Sequence, residues 1–203
     1  MITASPSTAK GRATRERIVR ATAELVAEHG VAAVSLDDVG RRAQASRSQL
    51  YHYFADKDEL VHAVIHATTE AVLGAQDGLL ERLDSWAGID RWFNALVDLQ
   101  RERQARGGCP IGSLAGQLAE RDPQARAAIA DGLNRWEAHL RDGLTRMREH
   151  GKLAPSANPA KLATVTMAAL QGGLLLTQVR RDPEQLQIAL DGARRLLHAA
   201  RAT

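Results

Sequence analysis

Aromatic side chains are scarce in this sequence, with three Trp, two Tyr and two Phe among 203 residues. β-branched residues are thin as well, and these are the two classes that strands favour. Ala, Leu, Arg, Glu and Gln, all good helix formers, take their place. The composition therefore predicts an all-α fold. Cysteine is nearly absent: the single Cys109 cannot form an internal disulfide, and no His or Cys stands near it at zinc-ligand spacing. No run approaches the about eighteen uninterrupted apolar residues that cross a bilayer. The most apolar stretch, Leu162 to Val179, carries Thr164, Thr166, Gln171, Thr177 and Gln178, so it reads as a buried helix. Residues 1–10 lack the apolar segment of a secretion signal and read as a disordered arm. No membrane partner is expected, and a cytoplasmic location is the default.

Catalytic signatures are missing too. The seven His are scattered. No HExxH, GxSxG or GxxxxGKS pattern occurs, and no pair of carboxylates is singled out by spacing. Neither catalysis, a metal nor a cofactor is expected. The net charge of +3 is mild, and its distribution is more informative. Lys10, Arg12, Arg15, Arg17 and Arg20 face only Glu16 over the same segment. Such an arm suits phosphate contact, and it equally suits a solvated helix start.

What is present is a succession of helix signals. A first helix is expected from about Thr14 to His29, with Ile18, Ala21, Thr22, Leu25 and Val26 on one stripe and Gly30 as its stop. Ser35 precedes Asp38 by a capping interval and opens a short helix, Leu36 to Ala43. Ser46 with Gln49 repeats the pattern and opens another, Arg47 to Tyr53. Asp56 with Glu59 caps a fourth, expected to run from Lys57 to about Leu83. Two short helices joined by a tight turn between longer ones are the sequence form of a helix-turn-helix.

Beyond it, a fifth helix is expected from Ile89 to Arg106, and the Gly107 to Gly112 segment around Cys109 and Pro110 is read as a break. A sixth helix is placed at Ser113 to Glu120. The seventh, starting near Pro123, has Ile129, Leu133, Trp136, Leu140, Leu144 and Met147 at helical spacing. An eighth, Ala160 to Val179, and a ninth, from Pro183 to near Ala200, complete about nine helices.

The segment SRSQLYHYFADK, Ser46 to Lys57, resembles the recognition-helix signature of the TetR family, and the likeness extends upstream through Leu36 to Val39 and the Arg15 to Gly30 helix. Downstream, GGCPIGSLAGQLAERDP and LQGGLLL resemble the C-terminal domain of a TetR subgroup that includes regulators of lincomycin and flavonoid responses. The sequence departs from the family at Gln44, where Gly is common and any left-handed backbone comes at a cost. It departs again at Ser48, and at Tyr53-Phe54, which replace a His-Phe pair with His52 one place earlier.

The resemblance implies a three-helix DNA-binding domain at 11–56 and a helical ligand-binding and dimerisation domain at 57–203. It further implies a homodimeric, ligand-responsive repressor that binds a near-palindromic operator in double-stranded DNA. Base contact is assigned to Arg47, Ser48 and Gln49, since Arg suits guanine and Gln suits adenine. Tyr51, His52, Ser35 and Lys57 are placed to hold phosphates. Ser35 and Ser46 are needed as caps in any case, and Leu50, Tyr53 and Phe54 read as core. For a small hydrophobic or aromatic effector the inner-facing candidates are Trp92, Phe93, Leu96, Cys109, Pro110, Ile111, Leu114, Trp136 and Leu140, with Gln171 as polar group. Most of the aromatic residues at such positions are more often plain core than ligand contacts, and Gln171 facing a dimer partner or bonding to backbone is an equally good reading. Leu162, Val165, Ala169, Gly172, Leu176, Leu186, Leu190, Ala193 and Leu197 on the last two helices are expected to form the dimer face. An all-helical enzyme or carrier, or a scaffold using the motif for protein contact, are the competing readings.

Overall fold

The computed structural model describes residues 8–202. They form ten helices, with an isolated bridge between Leu153 and Arg201 as the extended pairing. Helix α1, Ala9–His29, begins earlier than expected because the Thr8 side chain accepts the Gly11 N–H at 3.1 Å and caps it. Of the expected arm, residues 1–7 lie outside the described residues, and residues 8–10 are the cap and first turn of this helix. Helices α2, Leu36–Ala43, and α3, Arg47–Tyr53, have the expected bounds.

Helix α4, Lys57–Gly74, is shorter than expected and is followed by a one-turn helix α5, Asp77–Leu80. The Gln76 N–H bonds back to the Leu73 carbonyl at 2.8 Å, closing α4, and the Gln76 Oε1 accepts the Trp92 indole N–H at 2.8 Å. That long-range bond pins the break, which apolar periodicity alone does not disclose. Helix α6 spans Trp86–Glu102. Helix α7, Pro110–Leu118, starts where a break was expected. Pro is suited to the first helical position because its missing N–H is one the helix leaves unpaired anyway. The Cys109 Sγ accepts the Gly112 N–H at 3.3 Å at the same end. Helices α8, Pro123–Glu149, α9, Pro159–Arg180, and α10, Glu184–Ala199, follow the expected order.

The chain forms two compact units. One comprises the chain up to Val72 together with Ser113–Gly132, and the other comprises Leu73–Gly112 together with the chain from Leu133 onward. Helices α4, α7 and α8 have residues in both. In the first unit Ile18, Val39, Leu50, Phe54, Leu60, Val64 and Ile65 are buried and hold α1 to α4 together. In the second, Trp92, Phe93, Leu140, Leu144, Met147 and Leu170 are buried, and α9 pairs extensively with α10. By length and composition α9 could cross a membrane. Its Ala163, Met167, Leu170 and Leu174 are nevertheless buried within the unit, and Gly173 lets it approach Leu186 and Ala189 of α10.

That close approach corrects the expected dimer face. Leu186, Leu190, Ala193 and Leu197 are buried in the chain's own core, spent on packing α10 within the unit. The apolar side chains left exposed on these helices are Val165, Leu175, Leu176 and Val179 of α9 and Ile188 and Leu196 of α10.

Candidate functional site

The helix-turn-helix is built from two reciprocal caps. The Ser35 side chain accepts the Asp38 N–H at 3.2 Å while the Ser35 N–H donates to Asp38 Oδ2 at 3.1 Å. The Ser35 hydroxyl, which also donates to Asp38 Oδ2, and after it the Ser35 N–H hold the Asp38 carboxyl below its ordinary pKa. At α3 the Ser46 Oγ accepts the Gln49 N–H at 3.2 Å and the Ser46 N–H donates to Gln49 Oε1 at 2.9 Å. Residues 44–46 make the turn between them, and Gln44 adopts the left-handed conformation, φ 50 and ψ 47. From the first half of α1, Arg17 Nε donates to the Ala43 carbonyl at 2.8 Å, tying the end of α2 in place. Arg15 lies over the Phe54 ring at 5.0 Å. Two members of the basic segment are thus engaged within the head, which charge counting did not reveal.

This scaffold turns one side of α3 inward and the rest outward. Leu50 is buried, whereas Ser46, Arg47, Ser48, Gln49, Tyr51 and His52 are exposed; Ser35 is exposed on the α2 cap and Lys57 is half-buried at the start of α4. Phe54 is buried and Tyr53 half-buried, with the His52 ring edge-on to Tyr53 at 4.8 Å. Along the exposed face, the Arg47 guanidinium carbon lies 5.8 Å from the centre of the Tyr51 ring, one turn further on. Tyr51 chiefly, and then Asp37, raises the Arg47 pKa above its ordinary value. The Ser48 hydroxyl sits 3.1 Å from that of Ser46. A short helix with its leading end exposed, cationic and rich in donors has the chemistry to enter a DNA major groove.

The effector candidates fall out less uniformly. Trp92, Phe93, Leu96, Cys109, Ile111, Trp136 and Leu140 are buried in the second unit, and Gln171 is half-buried there. Pro110 is exposed at the start of α7, contrary to its inward assignment, because the first turn of the helix turns Ile111 inward in its place. Leu114 is buried in the first unit. Burial pushes the Cys109 thiol pKa up. Gly112 makes room for Gln171: a Cβ there would stand 3.1 Å from its Oε1. Among the described residues of the second unit, three buried polar atoms have no hydrogen-bond partner: Gln100 Oε1, Trp136 Nε1 and Gln171 Nε2. Gln100 was not foreseen, and its place on the apolar stripe of α6, one turn after Leu96 and Val97, is the signal that marks it.

Comparison with known proteins agrees with this architecture. Residues 18–64 match the bacterial regulatory proteins of the tetR family, and residues 86–193 match the tetracyclin repressor-like C-terminal domain. An uncharacterised helix-turn-helix-type transcriptional regulator of Mycobacterium tuberculosis is 30% identical over 194 residues, covering 91% of this chain and 94% of the relative. Among solved structures, a TetR-family regulator from Cytophaga hutchinsonii has a TM-score of 0.83 at 16% identity, covering 98% of this chain and 100% of the other. The regulatory protein TetR from Rhodobacter sphaeroides has a TM-score of 0.75 at 23% identity, covering 91% and 98%. With both halves of the architecture matched and a relative aligned along nearly its whole length, the chain belongs to the TetR family of DNA-binding transcriptional regulators, which are not enzymes.

Proposed function

We propose that the protein is a cytoplasmic, ligand-responsive repressor that binds a near-palindromic operator as a homodimer and is released by a small hydrophobic or aromatic effector. The observation that carries the reading is the outward-facing leading end of α3, where Arg47, Ser48 and Gln49 are exposed while Leu50 anchors the helix inside. Residues 11–56 serve as the DNA-binding domain and residues 57–203 as the ligand-binding and dimerisation domain. Arg47 reads bases; Tyr51, His52, Ser35 and Lys57 hold phosphates, which fixes orientation without reading sequence. Two such helices must reach major grooves about 34 Å apart or a multiple of it.

Support for self-association comes from the apolar side chains on α9 and α10, with Leu175 59%, Val179 72% and Ile188 56% exposed. A two-fold partner would cover them. Support for an effector site comes from Gln100, Trp136 and Gln171, whose unpaired buried atoms offer an acceptor and two donors among apolar neighbours. The effector class follows the lincomycin- and flavonoid-responsive subgroup that the downstream motifs resemble. Helices α4, α7 and α8, continuous through both units, give ligand binding a covalent route to the operator-binding state.

A mobility-shift titration on the DNA immediately upstream of the chain's own coding region, repeated with a panel of apolar aromatic compounds, tests the reading. Specific binding should fall steeply with salt, vanish in Arg47→Ala and be relieved by at least one compound class. A dimer that binds an effector tightly with unchanged operator affinity would refute the release mechanism. Val179→Glu should shift the protein toward monomer in sedimentation, and a monomeric wild type would refute the dimer.

A further inference from the structure

The two residues at the front of α3 with a known liking for bases are not equally free to read them. A carboxamide recognises adenine by accepting from N6 with its oxygen and donating to N7 with its nitrogen, so both ends must face the groove. Gln49 Oε1 points back along the chain and accepts the Ser46 N–H at 2.9 Å. Turning it toward a base would leave that N–H unpaired and dismantle half of the cap that starts the helix. Only the amide nitrogen remains for outside contact. Arg47 is in the opposite position. Among the described residues its guanidinium makes no salt bridge; it bonds to the Tyr51 side chain and lies 5.8 Å from that ring's centre on the exposed side of the helix, with Asp37 as the charge acting on it. Tyr51 is itself 47% exposed, so the ring is available as a shelf rather than as core. An arginine resting on such a shelf has fewer rotamers to lose on meeting the O6 and N7 acceptors of guanine.

We infer that operator recognition by α3 demands a guanine in each half-site through a two-residue unit, Arg47 as reader and Tyr51 as positioning residue, and that Gln49 imposes no adenine requirement because its oxygen is committed to the helix cap. The inference rests on the DNA-binding reading above and narrows it to a base preference.

Selection of sites from randomised duplex DNA by the full-length protein tests it, comparing wild type with Arg47→Ala, Tyr51→Leu and Gln49→Glu. Each variant is checked for unchanged Tm. Arg47→Ala removes a cation, Tyr51→Leu a phosphate-holding hydroxyl and Gln49→Glu adds a negative charge, so each weakens all DNA sites alike and the ratio between sites is the readout. Glutamate retains the capping oxygen and loses the donor. The wild type should select one guanine per half-site, with replacement by adenine weakening binding about tenfold or more. That ratio should disappear in Arg47→Ala, fall at least about threefold in Tyr51→Leu and persist in Gln49→Glu. Recovered sites with no shared sequence would defeat the DNA-reading account itself. A shared motif without such a guanine, a guanine ratio equal in Tyr51→Leu and wild type, or an adenine position lost in Gln49→Glu would overturn the inference alone.

Discussion

The side-chain oxygen of Gln117, Oε1, accepts the backbone N–H of Val31 at 2.7 Å, joining α7 to the residue just after the Gly30 stop of α1 across 86 positions of sequence. The Gln117 amide nitrogen turns back to the Ser113 carbonyl at 3.2 Å, so the group is held from both ends. Val31 is buried, and the bond to its N–H is partly shielded from solvent. Gln117→Ala should therefore cost about 1–3 kcal/mol in denaturant unfolding, the penalty of an unpaired buried donor. Gln117→Glu, which keeps an acceptor, should cost less, and equal losses in the two variants would show that the bond does not matter.

Gln44 is held at φ 50 in the turn between α2 and α3, a conformation in which a Cβ crowds the following carbonyl. Gln44→Val, β-branched and intolerant of this region, should lower stability by about 1–2 kcal/mol. Gln44→Gly should leave it unchanged or raise it by up to about 1 kcal/mol. Thermal melts of the two variants, which keep the same neighbours, separate backbone strain from side-chain contact.

Gly88 carries a harder constraint. A Cβ at that position would stand 1.7 Å from the Arg82 carbonyl oxygen, so the chain before α6 could not stay where it is. Gly88→Ala should destabilise the protein by about 3 kcal/mol, at the upper end of overpacking costs. A melt within a degree of wild type would contradict the close approach.

Asp122 caps α8, accepting the N–H groups of Gln124 at 2.8 Å and Ala125 at 2.9 Å through Oδ1, while Oδ2 lies 2.9 Å from His62 Nε2 of α4. The Ala125 bond first, and His62 after it, hold the carboxyl below its ordinary pKa of 3.8. A pKa depressed on folding means that the stabilisation is complete above the ordinary value. It is lost as pH falls through the lower folded value. Asp122→Asn, which retains a capping oxygen and loses the charge, should flatten the acid limb of the stability profile, being less stable than the wild type at pH 7 and approaching it as the wild-type carboxyl protonates. An unchanged acid limb in urea melts would assign that sensitivity to other carboxylates.

The parts legible in the sequence were those decided over a few residues. Both helices of the motif have their expected bounds because Ser35 with Asp38 and Ser46 with Gln49 form their caps locally, and the left-handed Gln44 follows from the tightness of the turn. What was not legible depends on partners far along the chain. The end of α4 at Gly74 is pinned by Gln76 and Trp92, and Pro110, read as a breaker, instead begins α7 with Cys109 accepting from Gly112. The apolar period of α10 announced a buried face correctly but could not say whether α9 of the same chain or a second copy buries it. For the site, exposure of the α3 front could be anticipated from Leu50 alone. The commitment of Gln49 to its cap was read only as a helix signal, and its consequence for base readout needed the geometry.

Helix α3 has seven residues and buries Leu50 alone. A peptide that short is not helical in water, since nucleating a turn costs more than so few bonds return. Its order is borrowed from α1 and α2, through the Arg17 bond to Ala43 and the apolar contacts beneath. Warming or a weakening substitution should accordingly blunt sequence discrimination well before the molecule as a whole unfolds, leaving an otherwise folded subunit that has forgotten which site it belongs on.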